Sequence, residues 1–107
     1  MMVDGTPPAV SLCDLARDPA ANAERTVSVR ALVIRTPGGG ARLLDVERPD
    51  DEICAVAVQD FPKGEPANRE RDAATLTAQV ALVRRVDFGR VIVSYRLREV
   101  GVVSWGR

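Results

Sequence analysis

The chain contains no histidine, a single lysine, one tryptophan, one tyrosine and two phenylalanines, and each scarcity removes a class of function. Histidine is the usual proton carrier near neutral pH and the usual base for serine and cysteine nucleophiles. Without it, only a carboxylate pair brought together by folding is left for acid–base work, no nucleophile stands beside a base, and an enzyme is not expected. The two cysteines, Cys13 and Cys54, have no metal-ligand spacing, and with no histidine a four-ligand zinc site lacks donors. No metal or cofactor is expected, and both cysteines are read as reduced, partly buried thiols. No apolar run approaches the roughly 20 residues that span a bilayer. The start, Met1-Met2-Val3-Asp4-Gly5-Thr6-Pro7-Pro8, has neither the basic flank nor the apolar stretch of a secretory signal. A cytoplasmic protein with no membrane partner is the expectation.

What is present is enough for one core. The 107 residues are 46% apolar and 28% charged, with 15 basic and 15 acidic side chains, the profile of one globular domain. At this length folding hides roughly two-thirds of the surface of the unfolded chain. Residues 1–10, which contain proline and glycine, read as a flexible leader, and residues 11–107 as the domain. Ser11-Leu12-Cys13-Asp14 signals a short helix, with Ser11 as cap and Asp14 at the positive end. Pro19 ends it or opens a further turn.

From Thr26 the period becomes two. Val27, Val29, Ala31 and Val33 share one face, Thr26, Ser28 and Arg30 the other, which predicts a strand with one side in the core. Pro37-Gly38-Gly39-Gly40 makes a turn, and residues 41–47 the returning strand. The nearly unbroken apolar run 53–59 predicts a central strand covered on both sides. Residues 60–74 form a long connection with a helical turn near its end. Residues 75–86 and 90–100 then alternate again around the tight turn Asp87-Phe88-Gly89.

Strand, glycine turn, strand, strand, long connection, strand, tight turn, strand: this order resembles the oligonucleotide/oligosaccharide-binding (OB) fold superfamily. The entry Ser11-Leu12-Cys13-Asp14-Leu15-Ala16, followed by Thr26-Val27-Ser28-Val29-Arg30-Ala31-Leu32-Val33, is similar to small single-domain bacterial barrels of this kind. There a leading helix precedes a first strand of the form V-x-V-x-G/A-x-V. The resemblance covers roughly residues 24–103. It implies an all-β fold, a five-stranded OB-like Greek-key barrel with a short N-terminal helix. It also implies a binding face across the second and third strands, extended by the loops at 37–40 and 87–89. Both loops are short here, so long gripping loops are not expected.

The function expected is that of a non-catalytic binding module. Residues 26–42 carry three basic and no acidic groups, residues 43–74 four and nine, and residues 75–107 six and two. Arg30, Arg35, Arg42, Arg85, Arg90, Arg96 and Arg98 are candidates for one basic side, suited to phosphate or carboxylate. Single-stranded nucleic acid is one partner class, with Phe88 as a platform for a base. A protein partner or a homodimer is the alternative, with the terminal Trp105 as anchor. A solvated face of strand arginines is the plain reading beside both. Trp105 either folds back over the barrel end or meets a partner, and Phe61 either plugs the barrel or sits at a groove mouth.

Other motifs lead nowhere. Asp87-Phe88-Gly89 matches a kinase triplet by letters in a chain too short for a kinase. The glycines at 38–40 are followed by no Lys-Ser or Lys-Thr and no helix, so they make no phosphate loop. Asp45, Glu47, Asp50, Asp51 and Glu52 have no calcium-loop spacing and read as a solvated strand end.

Overall fold

The computed structural model describes residues 6–62 and 71–106. The elements are β1 (Ala9–Val10), α1 (Leu12–Arg17), β2 (Thr26–Arg35), β3 (Ala41–Asp45), β4 (Val56–Val58), β5 (Arg71–Asp87) and β6 (Arg90–Trp105). Turns of 3-10 helix lie at Pro19–Asn22 and Glu52–Cys54. The helix starts where its cap dictates, with Ser11 Oγ accepting a hydrogen bond from the Asp14 amide at 3.0 Å. Leu12 and Leu15, one turn apart, are fully buried and pin α1 to the sheet. Pro19 then opens the first 3-10 turn.

The alternation of β2 holds to the residue. Val27, Val29, Ala31 and Val33 are buried, and they join Ala41 and Leu43 of β3 and Ala74, Leu76, Ala78 and Val80 of β5 in one core. The sheet is antiparallel in the order β4-β3-β2-β5-β6, with β1 added in parallel beside Ser28 and Val29 of β2. Six strands therefore replace the expected five, because residues 9–10, set aside in the sequence as leader, pair with the stretch of β2 that β3 leaves free. Among the described residues no ladder joins β4 to β6, so the sheet is not closed. Gly40 carries a conformational reason of its own: a Cβ there would lie 2.7 Å from the carbonyl oxygen of Val58, so only glycine lets β3 begin so close to the end of β4.

Three expectations fail for identifiable reasons. The run 53–59 is not a central strand. Asp51 caps the amide of Ile53, which starts a 3-10 turn and leaves Ile53 81% exposed, and only Val56–Val58 pairs, at the sheet edge. The fourth strand of the sequence reading begins earlier, at Arg71, where a connection was expected. The proposed helical turn falls partly on residues 68–70, outside the described residues. Finally, β6 does not stop at Val100 but runs to Trp105 through two register shifts. Thr77 faces Gly101 while Gln79 faces Arg98, and Leu76 faces Val102 while Thr75 faces Ser104. Each shift adds one residue to β6, the first at Glu99, whose φ is +53°. The extra residues reset the alternation, so that Leu97, Val100, Val102 and Trp105 all turn toward the core.

The cysteines are not free thiols. Cys13 in α1 and Cys54 in the second 3-10 turn form a disulfide, 41 residues apart in sequence. Neighbouring it, the buried Asp45 accepts from the amide of Cys13 at 3.1 Å and from those of Glu47 and Arg48 at 2.8 and 3.2 Å. One carboxylate thus ties the end of β3 to the first turn of the helix and to its own following turn. Cross-linking a loop of this length removes about 4 kcal/mol of unfolded-state entropy. The double variant Cys13→Ser, Cys54→Ser is expected to lose stability of that order in urea denaturation, and reductant is expected to lower the wild-type midpoint to match. A midpoint indifferent to reductant would contradict this.

Candidate functional site

Five of the seven exposed large apolar side chains among the described residues, Val86, Phe88, Val91, Ile92 and Val93, lie together on one hairpin. β2 pairs with β5 only from Ile34 opposite Arg71 to Thr26 opposite Gln79. Val80 makes the last two bonds on that side, to the backbone of Glu24 and Arg25. Beyond this point β6 is the only strand among the described residues that pairs with β5, and the two continue as a two-stranded arm to a turn at Phe88 and Gly89. On one face, the core pair Val80 and Leu97 is succeeded by Leu82 and Tyr95, Arg84 and Val93, and Val86 and Val91; the other face carries Val83 and Ser94, Arg85 and Ile92, and Asp87 and Arg90. The core stripe therefore runs past the core into solvent. Val86 is 72% exposed, Val91 66% and Phe88 98%, and Ile92 and Val93 are also open.

The turn itself is unusual chemistry for its geometry. Phe88 and Gly89 have φ of +51° and +76°, the two left-handed positions of a type I′ hairpin turn, where asparagine, aspartate or glycine is favoured. A bulky side chain in this region costs roughly 1–2 kcal/mol. Here it is neither buried nor paired in return.

The sequence-derived arginines do not form one surface. Arg30 donates to the carbonyl of Gly106 at 3.3 Å and Arg42 pairs with Glu52. Arg35 lies 5.5 Å from the ring centre of Phe61 and 5.7 Å from that of Trp105, and donates to the Pro62 carbonyl. Arg98 donates to Gln79 across the ladder at 3.3 Å. Together with Arg96 it lines a groove of about 360 Å³ between the end of β4 and β6. Only Arg85 and Arg90 sit with Phe88 on the arm, joined by Arg84, which the sequence reading passed over along with Val86, Val91, Ile92 and Val93. The signal available was the pair Arg84-Arg85 and a phenylalanine in a hairpin turn. The loop at 87–89 is short, as expected, and the projection comes from the strands on either side of it.

Phe61 is buried and Trp105 half-buried, their rings meeting edge to face at 6.3 Å. Trp105 thus packs back on the body through β6, with Arg35 beside both rings. At the base of the arm Tyr95 is largely buried, and its hydroxyl has no hydrogen-bond partner among the described residues. Burial, aided by the charge of Asp45, raises its pKa to about 12. Cys13, Asp51 and Cys54 offer ligand atoms within 4.8 Å of one another, but the sulfurs are joined, so no thiolate is available to a metal. No helix among the described residues is long and apolar enough to cross a membrane.

Tyr95 is the only tyrosine, so ultraviolet titration of its phenolate reads this site alone. The folded protein is expected to titrate near pH 12, whereas an unfolded tyrosine does so near 10. The unfolded chain then releases its proton first. The associated stability is complete below about pH 10 and is lost, on the order of 2 kcal/mol, as pH rises through the folded value. Tyr95→Phe, which deletes the orphaned hydroxyl, is expected to raise stability by about 1 kcal/mol at neutral pH and to flatten the alkaline loss. A phenolate midpoint near 10 in the folded protein would contradict the burial.

No family model, curated protein or solved structure matches the chain.

Proposed function

We propose that the protein is a non-catalytic binding module and that its contact surface is the β5–β6 arm, which engages a protein partner. The observation that carries this reading is Phe88, fully exposed at the arm's tip in a backbone conformation that disfavours it. Strain retained at an exposed position points to function. The strand order supports a partly open Greek-key barrel of the OB type as the scaffold, with the arm as the extended hairpin between its last two strands.

Magnitudes favour protein over nucleic acid. Stacking on the single ring of Phe88 gives about 1–3 kcal/mol for one base. A protein surface gains about 1.5–3 kcal/mol for each of Phe88, Val86, Val91, Val93 and Ile92 that it fully covers. The arm also presents unpaired strand edges, which another chain can extend. The cystine adds to this, because such bonds persist in oxidising compartments, and it favours that setting over the cytoplasm expected from composition. The nucleic-acid reading keeps one observation of its own: Arg84, Arg85 and Arg90 stand around Phe88 against the single carboxylate of Asp87.

A photoreactive amino acid placed at position 88 tests the choice. Irradiation of native extract is expected to give protein adducts that vanish when the photoreactive group is moved to the exposed position 59, off the arm. Anisotropy of a labelled single strand at about 50 mM salt is expected to stay flat. Binding that collapses between about 50 and 200 mM, with no protein adduct, would overturn the protein reading in favour of nucleic acid.

A further inference from the structure

Resting on the arm as the contact surface, we propose that its partner is a second copy of this chain: the arm of each copy lies against the carboxylate-rimmed connection between β3 and β4 of the other. The two surfaces differ in charge and share an apolar centre. On the arm, Arg85, Ile92, Asp87 and Arg90 share one face and Arg84, Val86, Val91 and Val93 the other, with Phe88 at the tip; the face turned to the partner is the first, where two arginines flank Ile92 and Asp87 is the one acidic group. On the connection, Ile53 is 81% exposed, and it stands in a stretch carrying Glu47, Asp50, Asp51 and Glu52 against Arg48, with Glu52 paired to Arg42 of the same copy.

Charge decides how the copies meet. On the face of Arg85 and Arg90, arm against arm would bring four arginines together with two aspartates between them. Like charges held in contact disfavour that pairing. Arm against connection sets basic groups on acidic ones, Arg85 and Arg90 facing a stretch in which Glu47, Asp50 and Asp51 outnumber Arg48.

The connection is also rigid before it is met. Asp51 caps the turn that holds Ile53, the disulfide fixes the adjacent Cys54 to α1, and Asp45 holds the backbone of Glu47 and Arg48. A preformed surface loses little entropy on contact. Two such contacts related by a two-fold axis close the assembly. Each contact draws on one hairpin and one short connection, so the dimer is expected to be reversible.

Sedimentation equilibrium of the purified, oxidised chain tests this, from low to several hundred micromolar. A monomer–dimer equilibrium is expected, with its dissociation constant rising about tenfold or more when salt is raised to about 0.5 M. Arg85→Glu with Arg90→Glu is expected to be monomeric, as is Glu47→Arg with Asp50→Arg. An equimolar mixture of the two variants is expected to dimerise, since each contact then again joins opposite charges. Circular dichroism of each variant checks that these surface changes leave the fold intact. A wild type monomeric throughout, or a dimer indifferent to Glu47→Arg with Asp50→Arg, overturns the proposal. The photoreactive group at position 88 separates the two readings. Adducts with other proteins and none with the chain itself would sink the second copy and spare the arm, whereas no protein adduct of any kind would sink both.

Discussion

Each strand takes its register from β2, directly or through one neighbour. β1, β3 and β5 hydrogen-bond to it, β4 follows β3 and β6 follows β5. Its inward residues Val27, Val29, Ala31 and Val33 fix which face of every neighbour is buried, because paired strands share their pleat. The reach of β2 also fixes the reach of the body. β2 has ten residues while β5 and β6 have 17 and 16, so the hairpin outgrows the strand that orders it. The arm is that excess, and the apolar stripe it carries into solvent is the core stripe continued with nothing to cover it.

At the other side of the sheet, local polar chemistry takes over from burial. β4 has three residues and little apolar surface to hold it. The cystine and the carboxylate of Asp45 secure this region instead, joining α1, the end of β3 and the turn before β4. The same fastening presents Ile53 outward on a stiff support. The molecule thus carries a stiff acidic surface on the connection before β4 and a basic arm held by the ladder between its two strands.

The amino-acid sequence made much of the scaffold legible. The cap at Ser11, the period of β2, the alternation around Phe88 and the buried parity of Leu76, Ala78 and Val80 all rest on local rules, and local rules survive folding. What escaped depends on contacts far apart in the chain. The pairing of Cys13 with Cys54 has no spacing signature. The apolar run at 53–59 looks like a strand until Asp51 caps a turn inside it. The extra residues in β6 reset the parity that had made Trp105 look like a tail. Most instructive is the arm. Val91 and Val93 repeat the pattern of Tyr95 and Leu97, and only the point at which β2 ends makes one pair exposed while Leu97 is buried. Alternation reports that a strand has an apolar face and does not report whether the same chain covers it.

If the arm serves binding and not the stability of the body, it should be removable. The direct measurement is urea denaturation of a chain in which residues 84–93 are replaced by a two-residue Asn-Gly turn, joining Val83 to Ser94 in the register they already share. The account predicts a cooperative transition with a midpoint close to that of the full chain, because the core pair Val80 and Leu97 and every residue beneath it are untouched. A collapse in stability, or failure to fold, would show that the arm holds the sheet together and would contradict its assignment as a surface kept for a partner.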